Sequence, residues 1–251
     1  MMYGDYHTHT TYTHGKGSIE DNVKCAIAKG LKEIAISEHS FSHMAYGVKR
    51  KTIPIMRAEI EELQKKYPQI KILLGIESNI IGLDGKIDVY PEDRHMFDVV
   101  VVGYHKTFKA TTWRDFWKFF VPNTFNFGWK QSAKRRQMNT EAYINAIKKN
   151  QIDIISHLNY GGCQTNCVEI AKVAKEYGTK IELNGKRINF TPKEIRDMVA
   201  TGVMFVLSSD AHRPERVGRC HRGINVIEKY GIPYEQVANW NKIMERKRDR
   251  D

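Results

Sequence analysis

The chain has 251 residues, 41% of them hydrophobic, and carries a formal net charge of +11 from 40 Lys and Arg against 29 Asp and Glu. This length and apolar fraction suit one large domain with its own core and exclude a collagenous, repetitive or disordered chain. No run approaches the ~18 uninterrupted apolar residues of a membrane helix, and the opening MMYGDYHTHT lacks the basic-then-apolar order of a secretory signal, so a cytoplasmic protein without a membrane partner is expected.

Short apolar runs alternate with helical patterns along the chain. Met2–Tyr6 is the first run. Ser18, with Asp21 three residues later, resembles a capping box that opens a helix, and Gly30 stops it. Glu33–Ser37 is the second run, followed by a helical pattern from Pro54 to Tyr67 that Pro68 ends. Lys71–Ile76 is the third. The link 79–96 holds a turn at Gly82-Leu83-Asp84-Gly85 and little helical periodicity. Phe97–Val102 is the fourth run, β-branched and too short for a helix. Ile152–Ser156 is the fifth, and a helix ending at Gly178 leads to the sixth, Thr179–Leu183. Thr191, Pro192 and Glu194 supply an N-cap, a first-turn proline and a reach-back glutamate, with Gly202 just past the end. Val203–Leu207 is the seventh run. Val- and Ile-rich runs of this length read as buried parallel strands, so a βα-repeating α/β fold is expected. The tail 242–251 is a charge run without apolar pattern and reads as a frayed terminus.

The connection 106–151 differs from the rest. It holds Trp113, Trp117 and Trp129, six of the ten phenylalanines, and ten Lys or Arg against two acids. Trp113, Phe116, Trp117 and Phe120 fall at i, i+3, i+4 and i+7, which predicts an amphipathic helix packed on the barrel by that stripe. A lid, an oligomer contact or an anion-attracting flap are the sharper alternatives. No linker divides the chain, so residues 1–251 are expected to form one domain with a basic aromatic insertion at about 106–138. The four cysteines, Cys25, Cys163, Cys167 and Cys220, match neither a disulfide framework nor a zinc ribbon and read as reduced thiols.

Ionisable residues cluster at one edge of this architecture. His7 and His9 follow the first run, His39 the second, Glu77 the third, His105 the fourth, His157 the fifth, and Asp210 and His212 the seventh; His14 lies in the first loop. In a parallel barrel all carboxyl ends of the strands open on one face, where active sites form. Seven of ten histidines sit there, whereas His43, His95 and His221 have no such position and read as structural. Imidazole with carboxylate suits zinc, iron or manganese. A His-x-His pair at a strand end points both rings to one side, and Glu77, with two oxygens, can bridge two cations.

In the segments Asp5-Tyr6-His7-Thr8-His9, Ser37-Glu38-His39, Gly75-Ile76-Glu77, Gly103-Tyr104-His105, Ser156-His157 and Ser209-Asp210-Ala211-His212, the chain resembles the PHP (polymerase and histidinol phosphatase) family, over residues 5–212 in family order. The resemblance implies a distorted seven-stranded (βα)7 TIM-like barrel and three divalent ions, Zn, Mn or Fe. His7, His9, Glu77 and Asp210 would hold the first, Glu77, His105 and His157 the second, and His14, His39 and His212 the third. Many relatives have aspartate where His14 stands here. Asp5 and Glu38 could accept the second N–H of ligating imidazoles.

The function implied is hydrolysis of a phosphate monoester by a metal-bridging hydroxide, with His7, His9, Glu77, Asp210 and His212 at the reacting centre. Arg187 and Arg213, at the barrel mouth, would pair with phosphate oxygens; Lys186 and Lys106 lie beside them in sequence. Size and ligand set resemble stand-alone histidinol phosphatases, making L-histidinol phosphate the candidate ester. A phosphodiesterase or nuclease, a protein tyrosine phosphatase and a metal-bound scaffold are the alternatives. The partner expected first is a small phosphorylated molecule, ahead of nucleic acid.

Overall fold

In the computed structural model every apolar run becomes a parallel strand: β1 (Gly4–Thr8), β2 (Glu33–His39), β3 (Lys71–Asn79), β4 (Val99–Gly103), β5 (Ile154–Ile155), β6 (Lys180–Asn184) and β7 (Phe205–Ser208). They lie side by side in sequence order, in a nearly closed (βα)7 barrel. The structure describes residues 2–126 and 129–240; Phe127 and the charged tail at 242–251 lie outside the described residues. The pairing is uneven. β2 and β3 share seven register pairs, whereas β5 makes only two with each neighbour, which is the distortion of the barrel.

Closure between the first and last strands is indirect. Near the carboxyl ends Thr8 bridges Ala211, and the His9 N–H donates to the Ala211 carbonyl at 2.8 Å. Lower down, the buried Asn239 side chain fills the gap. Its Nδ2 donates to the carbonyls of Gly4 and Leu207, both at 2.7 Å, and its Oδ1 accepts the Leu207 N–H at 2.9 Å. One amide thus satisfies backbone groups on both open edges, which would otherwise be buried unpaired.

Helices α1 (Ile19–Ala28), α2 (Ile53–Lys66), α5 (Ala133–Lys149), α6 (Cys167–Tyr177), α7 (Pro192–Thr201) and α8 (His221–Tyr230) accompany the sheet. The predicted capping boxes form at both places: Ser18 with Asp21 starts α1, and Thr191 with Glu194 starts α7. Alternate strand residues separate two apolar clusters. Ile34, Ile36, Val100, Val102, Leu183 and Leu207 join the large cluster that includes the helices. Ala35, Val99, Val101, Ile154 and Val206 form a small second cluster, which the period of two assigns to the barrel interior. Glu77, four residues beyond Leu73 on β3, stands on the same inner face, directly above that plug.

The aromatic stripe of the insertion is corrected. Its helical part consists of α3 (Trp113–Asp115), a π-helical turn Phe116–Phe120 and α4 (Val121–Thr124). The buried face is Asp115, Phe119, Phe120 and Asn123, while Trp113 is 75% and Trp117 51% exposed. A π turn carries more residues than an α turn, so the face read at a spacing of 3.6 is rotated away from the barrel. Of the stripe, Phe120 is buried and Phe116 packs partly against the core, and Phe119 joins Phe120 against Tyr104 and Phe108, with ring centroids 5.5 Å apart for Phe119–Tyr104 and 5.1 Å for Phe120–Phe108. Helix α5 begins at Ala133 behind the N-cap Ser132, so an insertion ending near 138 overruns the first turns of that helix. All four cysteines are free, and three are buried. Among the described residues no helix is long and apolar enough to cross a membrane.

Candidate metal centre

Glu77 is the hub of the strand mouth. Its Oε1 lies 3.1 Å from His7 Nε2, 3.2 Å from His105 Nε2 and 2.8 Å from His157 Nε2. Its Oε2 lies 2.9 Å from His39 Nδ1 and 3.6 Å from His9 Nε2. Asp210 Oδ1 sits 3.6 Å from His9 Nε2, 4.0 Å from His7 Nε2 and 3.3 Å from His212 Nδ1. His14 joins from the first loop, its ring centroid 4.2 Å from that of His212 and 4.8 Å from that of His39. All nine residues singled out in the sequence therefore converge on one place.

Local backbone devices bring them there. His157 and Asp210 have positive φ, 27° and 51°, among only three such non-glycine residues described. Left-handed backbone is disfavoured for side-chain-bearing residues and persists where the surroundings enforce it. Here it turns the chain inward after β5 and β7. Gly103 is needed for space: a Cβ there would lie 2.5 Å from Ser156 Oγ and 2.7 Å from His157 Cε1. Gly15 is needed in the same way, because its Cβ would stand 2.7 Å from the His9 carbonyl, and its absence lets the His14 loop fold onto β1.

Behind the cluster lie groups that orient the rings. Glu182 on β6 accepts from His7 Nδ1–H at 2.7 Å through Oε1 and from the His157 backbone N–H at 2.7 Å through Oε2. Asn79 Oδ1 accepts from His105 Nδ1–H at 2.6 Å. Neither residue is apparent from strand-end position, although a carboxylate inside the apolar run Lys180-Ile181-Glu182-Leu183 is a signal that could have found the first. The two acids expected to orient imidazoles act differently. Asp5 accepts the Ser209 N–H (3.0 Å), the Gly218 N–H (2.8 Å) and the Ser209 hydroxyl, tying β1 to the loop after β7. Glu38 accepts the Thr10 N–H (2.7 Å) and the hydroxyls of Thr10 and Thr13, and its Oε2 is 3.8 Å from His9 Nδ1, beyond hydrogen-bond range.

Burial and mutual charge set the protonation of the cluster. Burial pushes His14 down to about 4 and His39 down to about 3, and with the neighbouring His39 and His212 rings it holds His9 well below the usual histidine range. Such imidazoles are neutral near pH 7 and present a lone pair. Burial also opposes the Glu77 carboxylate, but His7, His105 and His39 outweigh it and hold Glu77 well below the ordinary range. For His7 the attraction of Glu77, Glu182 and Asp210 overcomes burial and raises it.

The donor set fits divalent metal. Among the described residues, seven of the ten buried polar side-chain atoms without a well-directed hydrogen bond belong to this cluster: His7 Nε2, both ring nitrogens of His9, His14 Nδ1, His39 Nδ1, Glu77 Oε2 and His157 Nδ1; His39 Nδ1 and Glu77 Oε2 are close, at 2.9 Å, but misaligned. Unpaired buried polar atoms are costly and rare, and their concentration at one point is what ion ligands produce. Three residue triplets offer ligand atoms within 4.8 Å of one another: His7, His9 and Asp210; His39, Glu77 and His105; His9, His39 and His212. His9 and His39 thus each belong to two groups.

The mouth is a cavity of about 300 Å³. Arg187 lines it, with its guanidinium 4.8 Å from the Tyr160 ring centroid. Arg213 does not line it. The chain turns away there into the Pro214–Arg216 turn, and the exposed guanidinium lies 3.9 Å from Glu215. Lys186 comes closer than either arginine, its Nζ donating to Asp210 Oδ1 at 2.9 Å and standing 2.8 Å from His212 Nδ1. His43, read as structural, is in the cavity wall. Its Nδ1 accepts the Tyr46 N–H at 3.1 Å and its Nε2 faces Thr107 Oγ1 at 2.9 Å, so both nitrogens are engaged. His95 and His221 are exposed.

A family model described as PHP domain matches residues 5–191. A protein of Shewanella sp. (strain ANA-3) named "Probable phosphatase" is 27% identical over 252 residues, covering 94% of this chain and 86% of its own. Another of that name, from Caldanaerobacter subterraneus subsp. tengcongensis, is 29% identical over 249 residues, with 94% and 86% covered. Among solved structures, histidinol phosphate phosphatase from Lactococcus lactis subsp. lactis, complexed with zinc, L-histidinol and phosphate, superposes with a TM-score of 0.65 at 20% identity, covering 92% of this chain and 95% of that one.

Proposed function

The chain belongs to the PHP domain family, and from that premise we propose that it is a metal-dependent phosphatase that hydrolyses a small phosphate monoester at the strand mouth. The observation that carries this reading is the concentration of unpaired buried imidazole and carboxylate atoms around Glu77. His7, His9, Glu77 and Asp210 would hold one ion, Glu77, His105 and His157 a second, and His14, His39 and His212 a third. Bound divalent ions supply an activated water and positive charge for the phosphoryl oxygens.

The chain's own groups do the rest. Glu182 and Asn79 keep the second nitrogens of His7 and His105 engaged, so that their Nε2 atoms face inward. Lys186 places an ammonium beside Asp210, where it can meet a phosphoryl oxygen. Arg187 lies further out in the same cavity, over the Tyr160 ring, and the position of Arg213 withdraws it from contact with the phosphoryl group. The solved histidinol phosphate phosphatase makes L-histidinol phosphate the first ester to assay.

Phosphate release by protein reconstituted with Zn, Mn or Fe tests the reading. The parent should turn over at least one monoester, and Asp210→Ala should lose measurable turnover while retaining its fold by circular dichroism. Hydrolysis of phosphodiesters alone, or turnover unchanged in Asp210→Ala, would overturn it.

A further inference from the structure

The charge of the cavity wall is one-sided. Its two carboxylates, Glu77 and Asp210, both belong to the imidazole cluster, and no other acid among the described residues lines it. Its cations are Lys186 in the depth and Lys106 and Arg187 at the rim. Lys186 is engaged with Asp210. Lys106 and Arg187 are exposed, and neither forms an ion pair among the described residues.

The two rim cations come from loops far apart in sequence, after β4 and after β6, and one short segment gathers them. Arg187 lies over the Tyr160 ring at 4.8 Å. The next residue, Gly161, has φ +69°, and a Cβ on it would lie 3.7 Å from Lys106 Cγ. Tyr160 and Gly161 therefore stand against the Arg187 guanidinium and the Lys106 stem, and both cations line the same cavity, outside the cluster where the reacting phosphoryl group would sit.

We propose that Lys106 and Arg187 form a site for a second anionic group on the substrate, so that the preferred esters are phosphate monoesters whose tail carries a carboxylate or a further phosphate. This rests on the monoesterase reading of the same cavity and narrows it. An anionic tail gains two unpaired cations at the rim, one of them a planar fork suited to carboxylate or phosphate oxygens. An ammonium tail, such as that of L-histidinol phosphate, meets like charge and no free carboxylate. Discrimination of this kind comes from repulsion as much as from attraction.

Tail charge can be separated from turnover with phosphonates, which bind without being hydrolysed. Calorimetric titration of the zinc-loaded protein with 3-phosphonopropionate, propylphosphonate and 3-aminopropylphosphonate should rank them in that order. The carboxylate tail should bind about ten-fold tighter than the ammonium tail, with the gap shrinking as salt is raised. In a Lys106→Gln/Arg187→Gln protein the gap should close to about two-fold. Equal or tighter binding of 3-aminopropylphosphonate by the parent overturns the proposal, and a full gap in the double variant overturns its assignment to these two residues. Phosphate release from 3-phosphoglycerate and L-histidinol phosphate tests the underlying reading separately. Absence of release from any monoester sinks the phosphatase, whereas efficient release from L-histidinol phosphate together with weak binding of anionic tails sinks only the second-anion site.

Discussion

The strand mouth and the 106–132 connection are both dense in distinctive residues, yet they relate to the sequence in opposite ways. At the mouth, positions at the ends of apolar runs predict convergence, and all nine candidate ligands meet around Glu77. In the connection, a clear helical spacing predicts the buried face only in part: Phe120 is buried, but Trp113 and Trp117 are exposed and Phe119, outside the stripe, is fully buried. The difference is one of constraint. A strand's facing is imposed by its hydrogen-bonded neighbours and a period of two, so one residue places the next. A short helix has no such neighbour, and one π turn suffices to rotate its face.

The contrast is functional as well as geometric. The connection's inner face buttresses Tyr104, which immediately precedes His105, so its packing supports one candidate ligand from behind. An amide network of Asn123, Gln131, Asn139 and Gln164 ties the same connection to α5 and to the loop following β5.

Three substitutions would sharpen or break the comparison. The largest effect is expected at Phe119→Ala, which should cost about 3–5 kcal/mol in urea unfolding because the ring is fully buried against Tyr104 and Phe108. A loss under ~1 kcal/mol would mean that the connection is only loosely docked.

Glu182→Gln comes next. Both Glu182 oxygens accept from N–H groups, so an amide must turn its own NH₂ toward either His7 Nδ1–H or the His157 N–H. Metal affinity, followed by competition with a chelator, should fall about 10- to 100-fold, with secondary structure retained. Parent-like affinity would reduce Glu182 to a space-filling residue.

The smallest effect is expected for Trp113→Ser with Trp117→Ser, within about 0.5 kcal/mol of the parent, because both rings are mostly in solvent. A larger loss would restore the packed stripe that the spacing suggests.

What the amino-acid sequence determined by itself was the seven strands, four of the flanking helices and the candidate residues of the cluster, whereas α5 and α8 were not marked by it. Short Val- and Ile-rich runs, capping boxes and histidines at strand ends are local properties, and a parallel barrel sends all such ends to one face. Tertiary structure alone decided which groups stand behind and around that cluster. Glu182 lies on the one strand that supplies no candidate ligand, and Asn79 lies past the last apolar residue of β3. His43 enters the cavity wall through a loop, and Arg213 leaves it because the chain turns at Pro214. Arg213 is turned away by its immediate neighbour, but the other three depend on contacts between residues 26 to 175 positions apart: Asn79 with His105, His43 with Thr107 and His7 with Glu182. No local periodicity encodes such a contact; packing of the closed barrel makes it.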